Sequence, residues 1–507
     1  MTGARLLPLD VTKEIRALLP TWLACLTTIG AATIFTSGRA LTGVTQATVV
    51  SAGVIAYILG CAALGGLSIG HEYSNRTLPL LLSLPASRRR LFTVKLTVLT
   101  AMLLGLSVLA MAGVMERVLR GGLSDAAVVG LLSFLGGVFV APWLTMVCRN
   151  PLAGAVFAIA IEGSMLAVGE LVAILAYGAS LAHTGDADRV KLAVASWGML
   201  VICAAAAFAS WRMFMRLEAI DGRDSHIRLP PWLRGPATMA APGAARGRRV
   251  HPIWWLARKE LHLQQLTFVV AGIYLLGWIA ILRRGAVAGG TLDPPLLLWT
   301  VMFGGVQAVL SGSLASAEER QFGTLESQVL LPMSTAKQWA VKAGMALGLT
   351  LVLAVGLPVL LGYLSASAGA LRIDPSYIGA VIVMAAGSLY VSSLCSSGLR
   401  ALLMSLPVSL IVIVLFHVLT SAPYWGLNAF GKLTRSGALS IERYEARLMP
   451  VVWVVFVAVA LRLAFLNHRS SERGATRVWR QLIWTFGAIA CGVVIFSGAV
   501  LFFASSH

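Results

Sequence analysis

The sequence predicts an all-α polytopic membrane protein made of two repeated six-helix transmembrane units, and three observations carry that prediction. Of the 507 residues 58% are hydrophobic and 12% charged, and the mean hydropathy is +0.83, values that exclude an ordinary soluble domain. Apolar runs long enough to cross a hydrocarbon core of about 30 Å recur along the whole chain. A polar interruption occurs twice, as EYSNRTLPLLLSLPASRRRLFTVK over residues 72–95 and as ERQFGTLESQVLLPMSTAKQWAVK over residues 319–342. The pairs Glu72/Glu319, Thr77/Thr324, Leu78/Leu325, Pro85/Pro332, Ser87/Ser334 and Lys95/Lys342 all stand 247 positions apart, and Arg90 falls opposite Lys337, the pattern of a tandem duplication.

In chain order, residues 1–19 place Lys13, Glu14 and Arg16 among leucines and read as an amphipathic helix on the membrane surface. Spans follow at about 20–37, 48–69, 91–115, 126–148, 152–177 and 190–211. A second amphipathic stretch, 251–265, repeats the charged pair as Lys259 and Glu260 and carries Trp254 and Trp255 for the headgroup zone. The second set of spans is 266–282, 296–317, 341–364, 377–397, 401–420 and 449–466, and a thirteenth run at 482–504 has no partner in the first half. The domains expected are therefore 1–211, a linker at 212–252, 253–466, and a connector with an additional span at 467–507. The linker holds Pro230, Pro231, Pro236 and Pro242 beside Arg246, Arg248 and Arg249, a composition that cannot build a core and reads as a flexible tether.

With the N-terminus placed in the cytoplasm, 28 of the 40 lysines and arginines fall on the inner side, as the positive-inside rule requires. The net charge of +19 is then explained by loops facing anionic lipid, and nucleic acid is not expected as a partner. Because Lys13-Glu14 recurs before the seventh span, the first run reads as an uncleaved span, not a signal peptide. The six cysteines lie in or beside the spans without CxxC spacing, so neither a disulfide framework nor a metal site is expected. Arginine-rich, alanine-rich usage points to a bacterium, hence to the plasma (inner) membrane.

Within each polar interruption, Thr77 or Thr324 suits a helix N-cap and Pro85 or Pro332 ends the segment after about two turns. Such a helix is marginal alone and needs a surface or a partner. Ser87 or Ser334 then caps the next span, whose first turn is basic. The order Glu319, Gly323-Thr324-Leu325-Glu326, Leu331-Pro332-Met333-Ser334 and a basic residue resembles the cytoplasmic loop of ATP-binding cassette type 2 permeases. The first copy departs from it, with Arg76 for the glycine and Pro79 for the glutamate. The resemblance implies that each loop forms a coupling helix resting on a separate ATPase, and that the amphipathic stretches holding Lys13, Glu14, Lys259 and Glu260 are elbow helices. It implies an exporter's membrane subunit in fused form, served by two copies of an ATPase that binds ATP and Mg, with coupling residues Glu72, Arg76, Thr77, Leu78, Pro85, Ser87, Arg88, Glu319, Gly323, Thr324, Leu325, Glu326, Pro332, Ser334 and Lys337. The exported substrate is not readable from the sequence.

No catalytic residues are expected in this chain. Its nearest approach to a phosphate-binding loop, residues 426–433, puts Leu433 where Ser or Thr must reach magnesium, and lies in an expected exterior loop. Ionisable groups within spans cost roughly 2.5 to 3.5 kcal/mol on insertion scales, which singles out Glu162, Glu170 and His417. Glu170 and His417 share the 247-residue spacing, which would present an acid and an imidazole across a pseudo-twofold axis. They read either as polar handles on a pathway or a proton-sensitive pair, or as residues near the outer interface hydrogen-bonded to loops. Two other functions remain open: a membrane scaffold or sensor anchoring an ATPase, and a proton-coupled secondary transporter using these three residues.

Overall fold

A computed structural model describes residues 9–37, 43–75, 77–83, 87–115, 123–177, 185–216, 252–288, 293–322, 333–364, 375–395, 397–429 and 435–469, with scattered positions between 480 and 502. These residues are almost entirely helical, with no strand among them. Among the described residues ten helices are long and apolar enough to cross a membrane, which makes this an all-α, multi-pass membrane protein by length and composition. The chain divides into two compact units, one formed by Met1–Ile34, Val50–His262 and Ile279–Thr291, the other by Phe35–Val49, Leu263–Trp278 and Leu292–His507. Residues 217–251 of the expected linker and most of the thirteenth run lie outside the described residues.

In the first unit α1 (Leu9–Ser37) and α2 (Gly43–Ser74) lead to a one-turn helix, α3 (Leu78–Leu82). Then come α4 (Arg88–Ala110) with a π-helical end at Met111–Met115, and α5 (Leu123–Leu135), joined through a π segment at Gly136–Val140 to α6 (Ala141–Cys148). Two long helices, α7 (Pro151–Tyr177) and α8 (Gly185–Met215), complete it. Arg149 ends α6 at φ 51°, and the Asn150 side chain restarts the chain by accepting hydrogen bonds from the backbone N–H groups of Leu152 (2.9 Å) and Ala153 (3.3 Å).

Beyond the linker come α9 (Pro252–Leu263) and α10 (Gln265–Ala288). The rest of the second unit has α11 (Asp293–Phe322), α12 (Thr335–Thr350) with a π segment at Leu351–Gly356 running into α13 (Leu357–Leu364), α14 (Pro375–Leu394), α15 (Gly398–Ala429) and α16 (Arg435–His468). A π turn leaves backbone carbonyls without their usual helical partner. Here the Tyr377 hydroxyl donates to the Ala354 carbonyl at 2.9 Å and supplies one.

The second span is the core of each unit. In α2 72% of the apolar window is enclosed, and in α11 78%, whereas α1, α4, α7, α8 and α16 leave most of theirs exposed. Close approach at the centre depends on glycine. A Cβ on Gly65 would lie 2.0 Å from the Gly137 carbonyl oxygen, and one on Gly312 would lie 1.9 Å from Ser388 Oγ and 2.6 Å from the Ala385 carbonyl oxygen. The second span thus crosses the fourth at backbone contact in both units. The third and sixth spans meet through rings: Phe92 packs on Trp211 and Phe214 (centroids 5.6 and 5.1 Å), and Trp339 on Phe465 (5.5 Å).

Two expectations need correction. The described part of the elbow expected at 1–19 is not separate from the first span, because α1 runs without a break from Leu9 through Pro20 to Ser37. The second stretch does break, at Gln264, whose side-chain amide donates to the Ser311 carbonyl at 2.9 Å while its backbone carbonyl accepts from the Thr267 hydroxyl. Ala17, the residue 247 positions earlier, has no side-chain group that could do this. The region 421–447, expected as an exterior loop, is largely helix, shared between the ends of α15 and α16.

Gly65→Ala and Gly312→Ala should each destabilise the protein by about 1–3 kcal/mol through overpacking. Gly163→Ala and Gly344→Ala, where nothing lies within 4 Å, should be tolerated. Thermal midpoints in detergent would distinguish the two pairs.

Candidate functional site

The residues at the base of the first polar loop assemble into a buried charge cluster. The end of α2 carries His71 and Glu72, α1 brings Lys13 and Glu14, and α4 brings Lys95. Glu72 has no exposed surface and Lys95 is 3% exposed. The Lys95 ammonium lies 2.7 Å from Glu14 Oε1, 3.4 Å from Glu72 Oε1 and 3.2 Å from the Ser68 carbonyl oxygen, all acceptors that its three N–H groups require. Lys13, half exposed, reaches Glu72 Oε1 at 2.8 Å from the rim. His71 Nδ1 donates to the Leu67 carbonyl at 2.9 Å, which turns Nε2 to the carboxylates, 3.1 Å from Glu72 Oε1 and 3.9 Å from Glu14 Oε2.

Thr77 was expected to cap α3, but its hydroxyl donates to Glu72 Oε2 and its backbone N–H to the Glu72 carbonyl at 3.0 Å. The carboxylate thus closes the loop on its own stem. Glu14, His71 and Glu72 place one potential metal ligand each within 4.8 Å of one another. Lys13, Lys95 and Thr77 already occupy carboxylate oxygens a metal would need.

The second loop rises from a pair of the same kind. Lys342, 2% exposed, donates to the fully buried Glu319. The loop's own residues Gly323, Thr324, Leu325, Glu326 and Pro332 lie outside the described residues, as do Arg76 and Pro85 in the first copy. Beside the pair, Arg320 donates to the Asn467 carbonyl at 3.4 Å. Asn467 and Gln481 exchange two amide hydrogen bonds of 3.2 and 2.9 Å, and Tyr390 donates to Gln481 at 3.3 Å. The start of the last segment is thereby tied to α14 and α16.

Glu72 and Glu319 were expected as contacts for a partner, and burial corrects this: neither offers an atom to one. Leu78 is also turned inward, against Ile69, Leu91, Phe92, Met146 and Phe214. The surface of the first loop consists instead of Pro79, Leu80, Ser83, Ser87 and the arginines 88–90. Leu80 is 70% exposed. Ser87 Oγ accepts from the Arg90 backbone N–H at 3.4 Å and caps α4, and Arg88 donates to the Met215 carbonyl at 2.6 Å. In the second copy Ser334 takes the cap position without a side-chain hydrogen bond, and Lys337 is exposed. Of the expected elbow residues, Glu260 is buried and Lys259 half-buried.

Two of the three intramembrane residues have described side chains, each with a partner inside the first unit. Glu162, in the middle of α7, accepts a hydrogen bond from Ser133. Glu170 forms an ion pair of 2.8 Å with Lys191 of α8, so its carboxylate has a cation in its own unit where an imidazole was expected. His417 lies on α15, and its side chain is outside the described residues.

Sequence reasoning passed over Lys95 and Lys342 as site residues. The signal was present: each lysine falls within an apolar run, near its start, and each follows its glutamate by the same 23 positions. No protein-family model, curated protein or solved structure matches the chain.

Breaking one member of such a pair leaves an uncompensated buried charge, at a cost of about 3–5 kcal/mol. Lys342→Met should therefore lower the thermal midpoint strongly, and Glu319→Leu in the same chain should restore much of the loss. A double-mutant cycle followed by unfolding in detergent would measure the coupling.

Proposed function

We propose that the chain is the membrane subunit of an ATP-driven exporter, a fused type 2 permease of the ATP-binding cassette class, set in a bacterial inner membrane with its N-terminus in the cytoplasm. The observation that carries this reading is the pair of buried carboxylate–lysine clasps, Glu72–Lys95 and Glu319–Lys342, each at the root of a polar loop between the second and third spans. A passive surface loop has no need of such an anchor. A loop that must transmit a push does, because force reaches the spans only through a rigid root.

Repeated geometry supports the two-unit organisation behind the reading. Besides the clasps, the glycine crossings at Gly65 and Gly312 and the side-chain caps at Asn150 and Ser397 share the 247-residue spacing. In this mechanism two copies of a separate ATPase, holding ATP and Mg, close on each other and press on the exposed loop tips. The clasp then moves α1, α2 and α4 together at the first loop, as α11 and α12 move at the second, and the substrate pathway changes its open side. A proton-coupled alternative has one observation in its favour, the enclosed Glu162 whose described partner is Ser133.

A tagged chain purified from its native membrane should bring down a protein with nucleotide-binding motifs. Leu80→Asp, at an exposed position that leaves the fold intact, should reduce that capture at least tenfold without moving the thermal midpoint. A cysteine placed at Ser83 should react with an impermeant maleimide in inverted vesicles and not in intact cells. Labelling from outside, or capture unaffected by Leu80→Asp, would overturn the motor reading, whereas loss of proton-driven uptake on Glu162→Gln would favour the alternative.

A further inference from the structure

One position in each unit ties three spans together through a single hydroxyl, and the two units supply it from opposite sides. In the first unit Tyr57 of α2, 1% exposed, donates to the Gly130 carbonyl of α5 at 2.8 Å and lies 2.9 Å from Ser107 Oγ of α4. In the second unit Tyr377 of α14 donates to the Ala354 carbonyl in the third span at 2.9 Å and stands 3.3 Å from the Thr300 carbonyl oxygen of α11. The 247-residue spacing pairs Tyr57 with Gly304, Ser107 with Ala354 and Gly130 with Tyr377. Tyrosine and glycine have therefore changed places between the second and fourth spans, while the position on the third span that meets the hydroxyl is the same.

Each part of the exchange has a physical reason. A tyrosine ring carries its hydroxyl across the gap between two helices, and a hydroxyl among lipid-embedded helices has to find a partner. In the second unit there is room for one ring only, since a Cβ on Gly304 would lie 2.0 Å from the Tyr377 hydroxyl oxygen. The third span needs a tie here. It is π-helical around Ala354, at Leu351–Gly356, and again at Met111–Met115, which begins four residues after Ser107.

The junction stands eight residues from the glycine crossing in both units, Tyr57 from Gly65 and Gly304 from Gly312, on the side away from the polar loop. That is about 12 Å along the helix. A helix held at one backbone contact still tilts about it, and a second tie at that distance removes the freedom. We infer that the tyrosine hydroxyl is a latch fixing the second span to the third and fourth in each unit, and that it works from either side provided a glycine faces it. Hydrogen bonds between spans are weak enough to break and re-form at ambient temperature, so the latch opens without unfolding the unit. It rests on contacts inside each unit and on no motor, so its failure would leave the exporter reading standing.

The test uses the full-length protein in liposomes, with buried thiols as reporters. Cys61, one turn from Tyr57 and without exposed surface, serves the first unit, and Ala308→Cys, at the equivalent and equally enclosed position, serves the second. Labelling by N-ethylmaleimide, located by peptide mass spectrometry, should be roughly fivefold faster at Cys61 in Tyr57→Phe and at position 308 in Tyr377→Phe, each variant leaving the other unit's reporter unchanged. Tyr57→Gly should lower the thermal midpoint, and Gly130→Tyr in the same chain, which rebuilds the junction in the second unit's form, should recover most of the loss. Unchanged labelling in both phenylalanine variants, acceleration of both reporters by either one, or a double variant no more stable than Tyr57→Gly would overturn the inference.

Discussion

An ammonium group enclosed by apolar helices has to be matched by a carboxylate, and that requirement organises each unit around the root of its polar loop. Lys95 reaches its place because α1 and α2 both bring an acid to it, so three helix ends must meet at one point. Replacing the cluster with well-packed hydrophobic residues would often be neutral or better for stability. Its physical value lies in position: Glu72 can satisfy Lys13, Lys95 and Thr77 together only when the loop is folded back on its stem.

The two clasps have different surroundings. In the first, His71 stands beside Glu72, and Lys13 closes the rim. In the second, the residue beside Glu319 is Glu318, and the neighbouring Arg320 leads through Asn467 to Gln481. A tie to the start of the last segment therefore exists on one side, and a histidine and a rim lysine exist on the other. Two halves of common pattern are thus exposed to different influences, which a symmetric pair of units could not provide.

The fold was legible wherever lipid dictates composition. Every described span coincides with an apolar run, since a spanning helix must satisfy its own backbone and present apolar side chains. Legibility failed where the deciding partner is distant in sequence. Thr77 next to Leu78 has the form of a helix cap, and only the folded chain reveals Glu72 as its acceptor. Glu14 and Lys95 are 81 positions apart, beyond the reach of any periodicity. The unbroken α1 and the interrupted α9–α10 differ through one position, Ala17 against Gln264, whose effect depends on a carbonyl at Ser311. In the same way Glu170 carried no mark of Lys191, which approaches from the next helix.

The glycine contacts have a mechanical consequence. Where two helices touch backbone to backbone they cannot slide closer or part without losing the fit, and what remains is pivoting about the point of contact. Gly65 lies seven residues from Glu72 and thirteen from Ala52, and Gly312 lies seven from Glu319 and thirteen from Trp299. At 1.5 Å per residue these are arms of about 10 and 20 Å. Each second span is therefore a lever with its fulcrum off centre, and a displacement of 1 Å at the loop end would swing the far end by about 2 Å in the opposite direction.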